Sequence, residues 1–201
     1  ILRSLMSHQL DAVAAEGLPA AILDASEAGI YGRFGYGMAS RYSVWTIRCD
    51  DASFVTEAPR RTVRFVDQGE AAPVLARIYD AALRSSPGDV SRGPKWWELL
   101  LGRTERWKGG GNLYVAVVDP DPSAGEPGGY VIYSVGSGRE GDIFSISIRE
   151  LVSASPDTAA ALWRFCLDVD LASHVSAEVA VDDPLIWRLA DPRAARTKEV
   201  R

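Results

Sequence analysis

At 201 residues, 47% of them hydrophobic, the chain can bury a sizeable core and has the length of one or two domains of about 100–200 residues each. A net charge of −5 and a pI near 5.1 argue against nucleic acid or an anionic membrane surface as the main partner. No apolar run approaches the roughly 18–20 residues that span a bilayer and no signal peptide is visible, so a cytoplasmic protein without a membrane span is expected.

Residues 2–15 read as an amphipathic helix, with Leu2, Leu5, Met6, Leu10, Val13 and Ala14 near one face and Gly17 as its stop. A short apolar run over 19–23 predicts a buried strand. Ser26 and Glu27 then open a second, short helix. Ser26 is its expected N-cap, accepting from backbone N–H groups that the first turn leaves unpaired. That turn would lie at the carboxyl end of the 19–23 strand, where open sheets bind ligands. Tyr31 follows one turn on. Gly32, Gly35 and Gly37 interrupt the helix and permit a tight exit into a strand over 38–49, in which Tyr42, Val44, Trp45 and Ile47 suit β structure.

The polar stretch 51–61, with Pro59, reads as a linker between two apolar blocks. Residues 62–66 alternate as a strand, and 70–83 carry helical periodicity through Val74, Leu75, Ile78 and Tyr79. A loop over 85–94 leads to a helix over 95–107 bearing Trp96, Trp97, Leu100 and Leu101. Strands are predicted at 113–118, 129–135 and 142–151, the first two separated by a turn-rich run over 119–128. A helix over 157–168, a strand over 175–181 and a short helix over 184–189 capped by Asp182 or Asp183 complete the series. The order predicts an α+β fold, an α/β-type mixed sheet with flanking helices.

Ala25-Ser26-Glu27-x-Gly29-Ile30-Tyr31-Gly32-Arg33-Phe34-Gly35-Tyr36-Gly37 is similar to the signature of the enhanced intracellular survival acetyltransferases. These belong to the GNAT superfamily of acetyl-CoA-dependent N-acetyltransferases. Asp183-Pro184-Leu185 and Ala194-Ala195-Arg196-Thr197 extend the resemblance along the chain. It implies the GNAT acyl-CoA N-acyltransferase fold in tandem. Residues 1–50 would be the C-terminal part of a first, catalytic domain, 51–61 the linker and 62–196 a second, GNAT-like domain without catalysis. Residues 197–201 would begin a connection to a sterol-carrier-like domain.

The same resemblance implies an enzyme that uses acetyl-CoA as co-substrate and acetylates an amine, on an aminoglycoside or a lysine side chain, by direct transfer. Tyr31 matches the general acid that protonates the departing coenzyme A thiolate. A phenol of pKa about 10 can donate to a thiolate whose conjugate acid has a pKa of about 8.5. Ser26 and Glu27 match residues that line the cofactor. Ile1, Leu2 and Arg3 match the end of a pyrophosphate-binding segment, Arg-Arg-x-Gly-Leu-Leu-Arg, whose N–H groups at a helix N-terminus cradle phosphates. Only the tail of that segment is represented, and nothing matches the third domain whose terminal carboxylate is the family's general base. The expectation is the middle portion of a longer protein, inactive in isolation. Resemblance also implies a homo-oligomer, a hexamer as in relatives.

The second block repeats the order of the first, yet its counterpart of the phosphate cradle is Val152-Ser153-Ala154-Ser155-Pro156-Asp157, without glycine or arginine. Asp157 would favour the helix dipole and repel a pyrophosphate. The counterpart of the Tyr31 segment, Asp182-Asp183-Pro184-Leu185-Ile186-Trp187, has no tyrosine. A structural and assembly role is the alternative reading of the chain.

Other features read as structural. His8 and His174 have no partner at ligand spacing, so no metal site is expected. Cys49 and Cys166 read as reduced core thiols. Gly109-Gly110-Gly111 opens no helix and lacks a following Lys-Ser/Thr, which makes it a connector. Asp119, Asp121 and Glu126 lack the ligand pattern of a calcium loop. Tyr36 reads as a packing anchor, Arg33 as solvated or ion-paired, and Trp96 with Trp97 as core or a domain interface.

Overall fold

The computed structural model describes residues 1–57, 60–102, 112–123, 125, 128–137 and 144–201. They form two compact units, Ile1–Arg41 and Tyr42–Arg201.

In the first unit, α1 spans Leu2–Ala15 and closes at Glu16 and Gly17, whose N–H groups donate to Ala12 and Ala14 carbonyls. Met6 is buried on its apolar stripe, Leu10 and Val13 are half-buried, and Leu2 and Leu5 are exposed. The run 19–23 carries no regular secondary structure. A strand exists only through a ladder that pairs its backbone groups, and no strand among the described residues pairs with this run. The short helix α2 spans Ala28–Tyr31 and continues as a 3₁₀ turn, Gly32–Phe34. It begins one residue later than the sequence suggests: Glu27, extended at φ −133° and ψ 96°, is the N-cap and makes no side-chain cap hydrogen bond. Ser26 therefore does not cap this helix.

The second unit holds β1 (Tyr42–Arg48), β2 (Val63–Val66), α3 (Ala71–Leu83), α4 (Pro94–Leu100), β3 (Leu113–Val118), β4 (Gly129–Ser137), β5 (Phe144–Ser153), α5 (Pro156–Leu167), β6 (Ala172–Ala180), α6 (Leu185–Arg188) and β7 (Ala195–Val200). The strands make one seven-stranded sheet in the order β2-β3-β4-β5-β6-β1-β7. All neighbours are antiparallel except β5 and β6, which α5 connects as a crossover. The result is the expected mixed sheet with flanking helices.

Two boundaries move. The strand expected over 38–49 forms as β1, but it is inserted between β6 and β7, so the second unit starts at Tyr42 rather than after residue 50. The reason lies in its alternation: Ser43, Trp45 and Ile47 point to one face and are buried, and the covered face they need is built by the second unit. Residues 51–61 accordingly are not a linker between units. Ala52 is buried in the same core and Phe54 bridges to Leu189, while residues 58–59 lie outside the described residues. At the other end, residues 197–200 belong to β7, and Tyr42 and Arg201 exchange two backbone hydrogen bonds of 2.9 Å.

Each face of the sheet carries a core. On one, Trp45, Ile47, Val131, Ile146, Val175 and Ala177 pack with Leu162, Trp163 and Cys166 of α5. Burial pushes the Cys166 thiol up to about 12, with a further rise from Cys49. On the other, Val115, Val117, Tyr130 and Ile132 pack with Leu75, Ile78 and Tyr79 of α3 and Trp97 of α4. The adjacent tryptophans part company, because neighbours on a helix point about 100° apart: Trp97 is 4% exposed and Trp96 47%. The helix expected over 95–107 is α4 for its first part, and residues 103–107 lie outside the described residues.

Candidate active site

The Tyr31 segment is built by its glycines. α2 ends on Tyr31, the 3₁₀ turn Gly32–Phe34 follows, and Gly35 takes a left-handed conformation at φ 87°, which a side chain would resist. The chain doubles back, and the Tyr36 N–H donates to the Tyr31 carbonyl at 3.4 Å. The two rings meet edge to face, with centroids 6.2 Å apart and planes at 76°. Both tyrosines are half-buried. Arg33 lies with its guanidinium carbon 5.2 Å from the centre of the Phe34 ring.

Ser26 and Glu27 are exposed and lead directly into the helix that ends on Tyr31. Ile1, Leu2 and Arg3 form a separate group at the start of α1, also exposed, with the Ile1 carbonyl accepting from Leu5 at 3.0 Å. That first turn contains no acidic residue.

The start of α5 is different. Ser155 caps it by accepting from the Thr158 N–H at 3.3 Å, Asp157 stands in the first turn, and the Asp157 carboxylate takes a 2.8 Å hydrogen bond from Arg188. One donor of this terminus, the Thr158 N–H, is thus already engaged by the Ser155 side chain, and the acid carries an internal partner.

Two relationships escaped the sequence reading. The Tyr31–Tyr36 contact had a local signal, two aromatics five residues apart around a Gly-x-x-Gly turn. The second had none: in the second unit Arg92 forms a two-pronged ion pair with Glu150 at 2.9 and 2.7 Å, and the Tyr130 hydroxyl donates to the same carboxylate at 2.7 Å. The Arg92 guanidinium also lies 3.9 Å over the Tyr79 ring. Burial, then the field of Glu150 and the hydrogen bond to it, pushes the Tyr130 phenol far above its ordinary range. Burial works against the Arg92 charge, yet Glu150 outweighs it and raises the guanidinium above its usual value.

An acetyltransferase (GNAT) domain model matches residues 88–201, more than half of the chain, and a second acetyltransferase (GNAT) model matches residues 1–39, which contain the Tyr31 segment. The chain belongs to the GNAT acetyltransferase family. Within the GNAT family it is Eis-like. It is 32% identical over 202 residues to N-acetyltransferase Eis of Mycobacterium tuberculosis, a match covering 98% of this chain and 48% of that protein. An uncharacterized N-acetyltransferase of Streptomyces coelicolor is 33% identical over 203 residues, 98% of this chain and 48% of the relative. The crystal structure of Eis1 from Mycobacterium abscessus superposes with a TM-score of 0.81 at 31% identity, covering 100% of this chain and 49% of that one. The chain spans about half the length of the curated GNAT relatives it matches.

Among the described residues no helix is long and apolar enough to cross a membrane, and no group of three or more His, Cys, Asp or Glu is placed to hold a metal ion.

Proposed function

We propose that this chain is part of an acetyl-CoA-dependent N-acetyltransferase that acetylates amines of the aminoglycoside or lysine side-chain type, with Tyr31 as general acid. The observation that carries the reading is the half-buried Tyr31 phenol at the exit of α2, in the segment matched by a GNAT domain. A neutral amine attacks the thioester carbonyl carbon, forming the C–N bond while the carbonyl π electrons move to oxygen. The tetrahedral intermediate restores C=O by breaking the C–S bond. Tyr31 gives its proton to the leaving sulfur, and the nitrogen sheds one to a base. The first turn of α1, with Arg3 and no acid, suits the pyrophosphate of acetyl-CoA. Ile1 and Leu2 contribute to that turn, and Ser26 and Glu27 line the cofactor.

The second unit acts as a structural and assembly element. The Asp157–Arg188 pair at the start of α5 favours this, since an anion binding there would have to displace an internal partner. The same reading puts the protein in the cytoplasm, as a homo-oligomer with no nucleic-acid partner.

The test is steady-state acetyl transfer by the intact protein, comparing Tyr31→Phe with the parent at matched acetyl-CoA occupancy. Loss of the acid is expected to lower kcat by about 10²-fold or more, leaving acetyl-CoA affinity intact. An unchanged rate removes Tyr31 from the mechanism.

A further inference from the structure

We infer that Tyr36 is a positioning residue for Tyr31, holding the phenol in the orientation from which it donates its proton. This rests on the general-acid reading of Tyr31. Tyr31 ends a four-residue helix that contains Gly29 and is followed by Gly32, and a β-carbon placed on either of these glycines, or on Gly35 or Gly37, would meet no atom within 4 Å beyond the adjoining stretch of chain. The backbone that carries the phenol is therefore glycine-rich and little supported by packing. Such backbone has wide conformational freedom in the absence of other restraints.

Tyr36 supplies the restraint. The left-handed Gly35 returns the chain so that the Tyr36 N–H reaches the Tyr31 carbonyl at 3.4 Å while the Tyr36 ring meets the Tyr31 ring at 76° with centroids 6.2 Å apart. Among the described residues no other aromatic ring packs on Tyr31. An edge-to-face contact sets the positive rim of one ring against the negative face of the other, so it has a preferred angle as well as a distance. Rotation of Tyr31 about χ1 breaks that contact and swings the hydroxyl, the atom farthest from the backbone, through the largest arc. A displacement of about 1 Å in a reacting group can cost about 10²-fold in rate. Tyr36 acts through Tyr31 and needs its ring for this, while its hydroxyl is dispensable.

The experiment is a cycle in the intact protein: kcat and the KM for acetyl-CoA for Tyr31→Phe, Tyr36→Leu, Tyr36→Phe and the double variant Tyr31→Phe/Tyr36→Leu. Tyr36→Leu is expected to lower kcat about tenfold with KM within about twofold, and Tyr36→Phe to stay within about threefold of the parent. In the Tyr31→Phe background the leucine substitution should bring no further loss. An equal further loss in that background, or a Tyr36→Phe variant as slow as Tyr36→Leu, overturns the inference and leaves the general-acid reading standing. An unchanged rate for Tyr31→Phe overturns the general-acid reading itself, and this inference with it. Tyr36→Met, flexible and of similar reach, gives the same comparison if the leucine variant does not fold.

Discussion

Arg92 and Glu150 meet as a two-pronged ion pair inside the second unit, with side chains only 13% and 17% exposed, and the carboxylate also takes the Tyr130 hydroxyl. A buried pair of this kind gains little over an apolar replacement but is costly to break, since the survivor keeps an uncompensated charge. Glu150→Gln is therefore expected to destabilise the unit by about 3 kcal/mol. Arg92→Met/Glu150→Met, which buries no charge, should lose less than Glu150→Gln alone. Urea denaturation with an unchanged m-value is the measurement. A loss below about 1 kcal/mol for Glu150→Gln would mean that water reaches the pair and screens it.

Asp183 gives a prediction in pH. Burial raises its carboxyl pKa, the Leu185 N–H that it accepts at 2.9 Å lowers it, and Asp182 raises it, the balance being upward. A carboxyl whose folded pKa exceeds its unfolded value of about 3.9 binds more protons folded than unfolded between the two values, so stability falls as pH rises through that window. The penalty is complete above the folded pKa and absent below the unfolded one. Asp183→Asn removes the charge and keeps an oxygen that can accept from Leu185. It should raise Tm at pH 7, with the gain vanishing below about pH 4. A lower Tm at pH 7 would mean that the ionised carboxylate's hydrogen bond outweighs its burial.

What could be read from the sequence follows the range of the interactions involved. Val63–Val66, Ala71–Leu83, Leu113–Val118 and Pro156–Leu167 were all legible within a residue or two, because their apolar periods are local. Tyr42–Arg48 was legible as a strand but not as a member of the second unit's sheet, since its partners, β6 and β7, lie more than a hundred residues away. The run 19–23 had the apolar content of a strand and no ladder to join. Ser26 had the chemistry of a cap, but the turn starts at Glu27. Tyr31 was reached through its motif. The role argued for Tyr36 depends on the left-handed Gly35 and the ring angle that follows from it, and neither is written in hydrophobic periodicity.

The position of the unit boundary can be tested by cutting the chain at two places. A fragment over 42–201 retains β1; one over 50–201, starting where composition alone would divide the chain, lacks it. Trp45 and Ile47 are 3% and 1% exposed in the core over α5, and burying such side chains is worth about 1.5–3 kcal/mol each. Removing β1 also strips β7 of its one neighbour among the described strands, because β7 stands at that edge of the sheet, and it uncovers the backbone of β6 from His174 to Ala180. Together these losses are comparable with the roughly 5–15 kcal/mol that separates a folded domain from its unfolded chain. The 42–201 fragment should therefore unfold cooperatively in urea with dispersed amide resonances. The 50–201 fragment should lack a cooperative transition and bind a hydrophobic dye, as a collapsed chain without fixed packing does. Equal cooperativity in the two would place β1 outside the folding unit, and the sheet order β6-β1-β7 could not then be its structural basis.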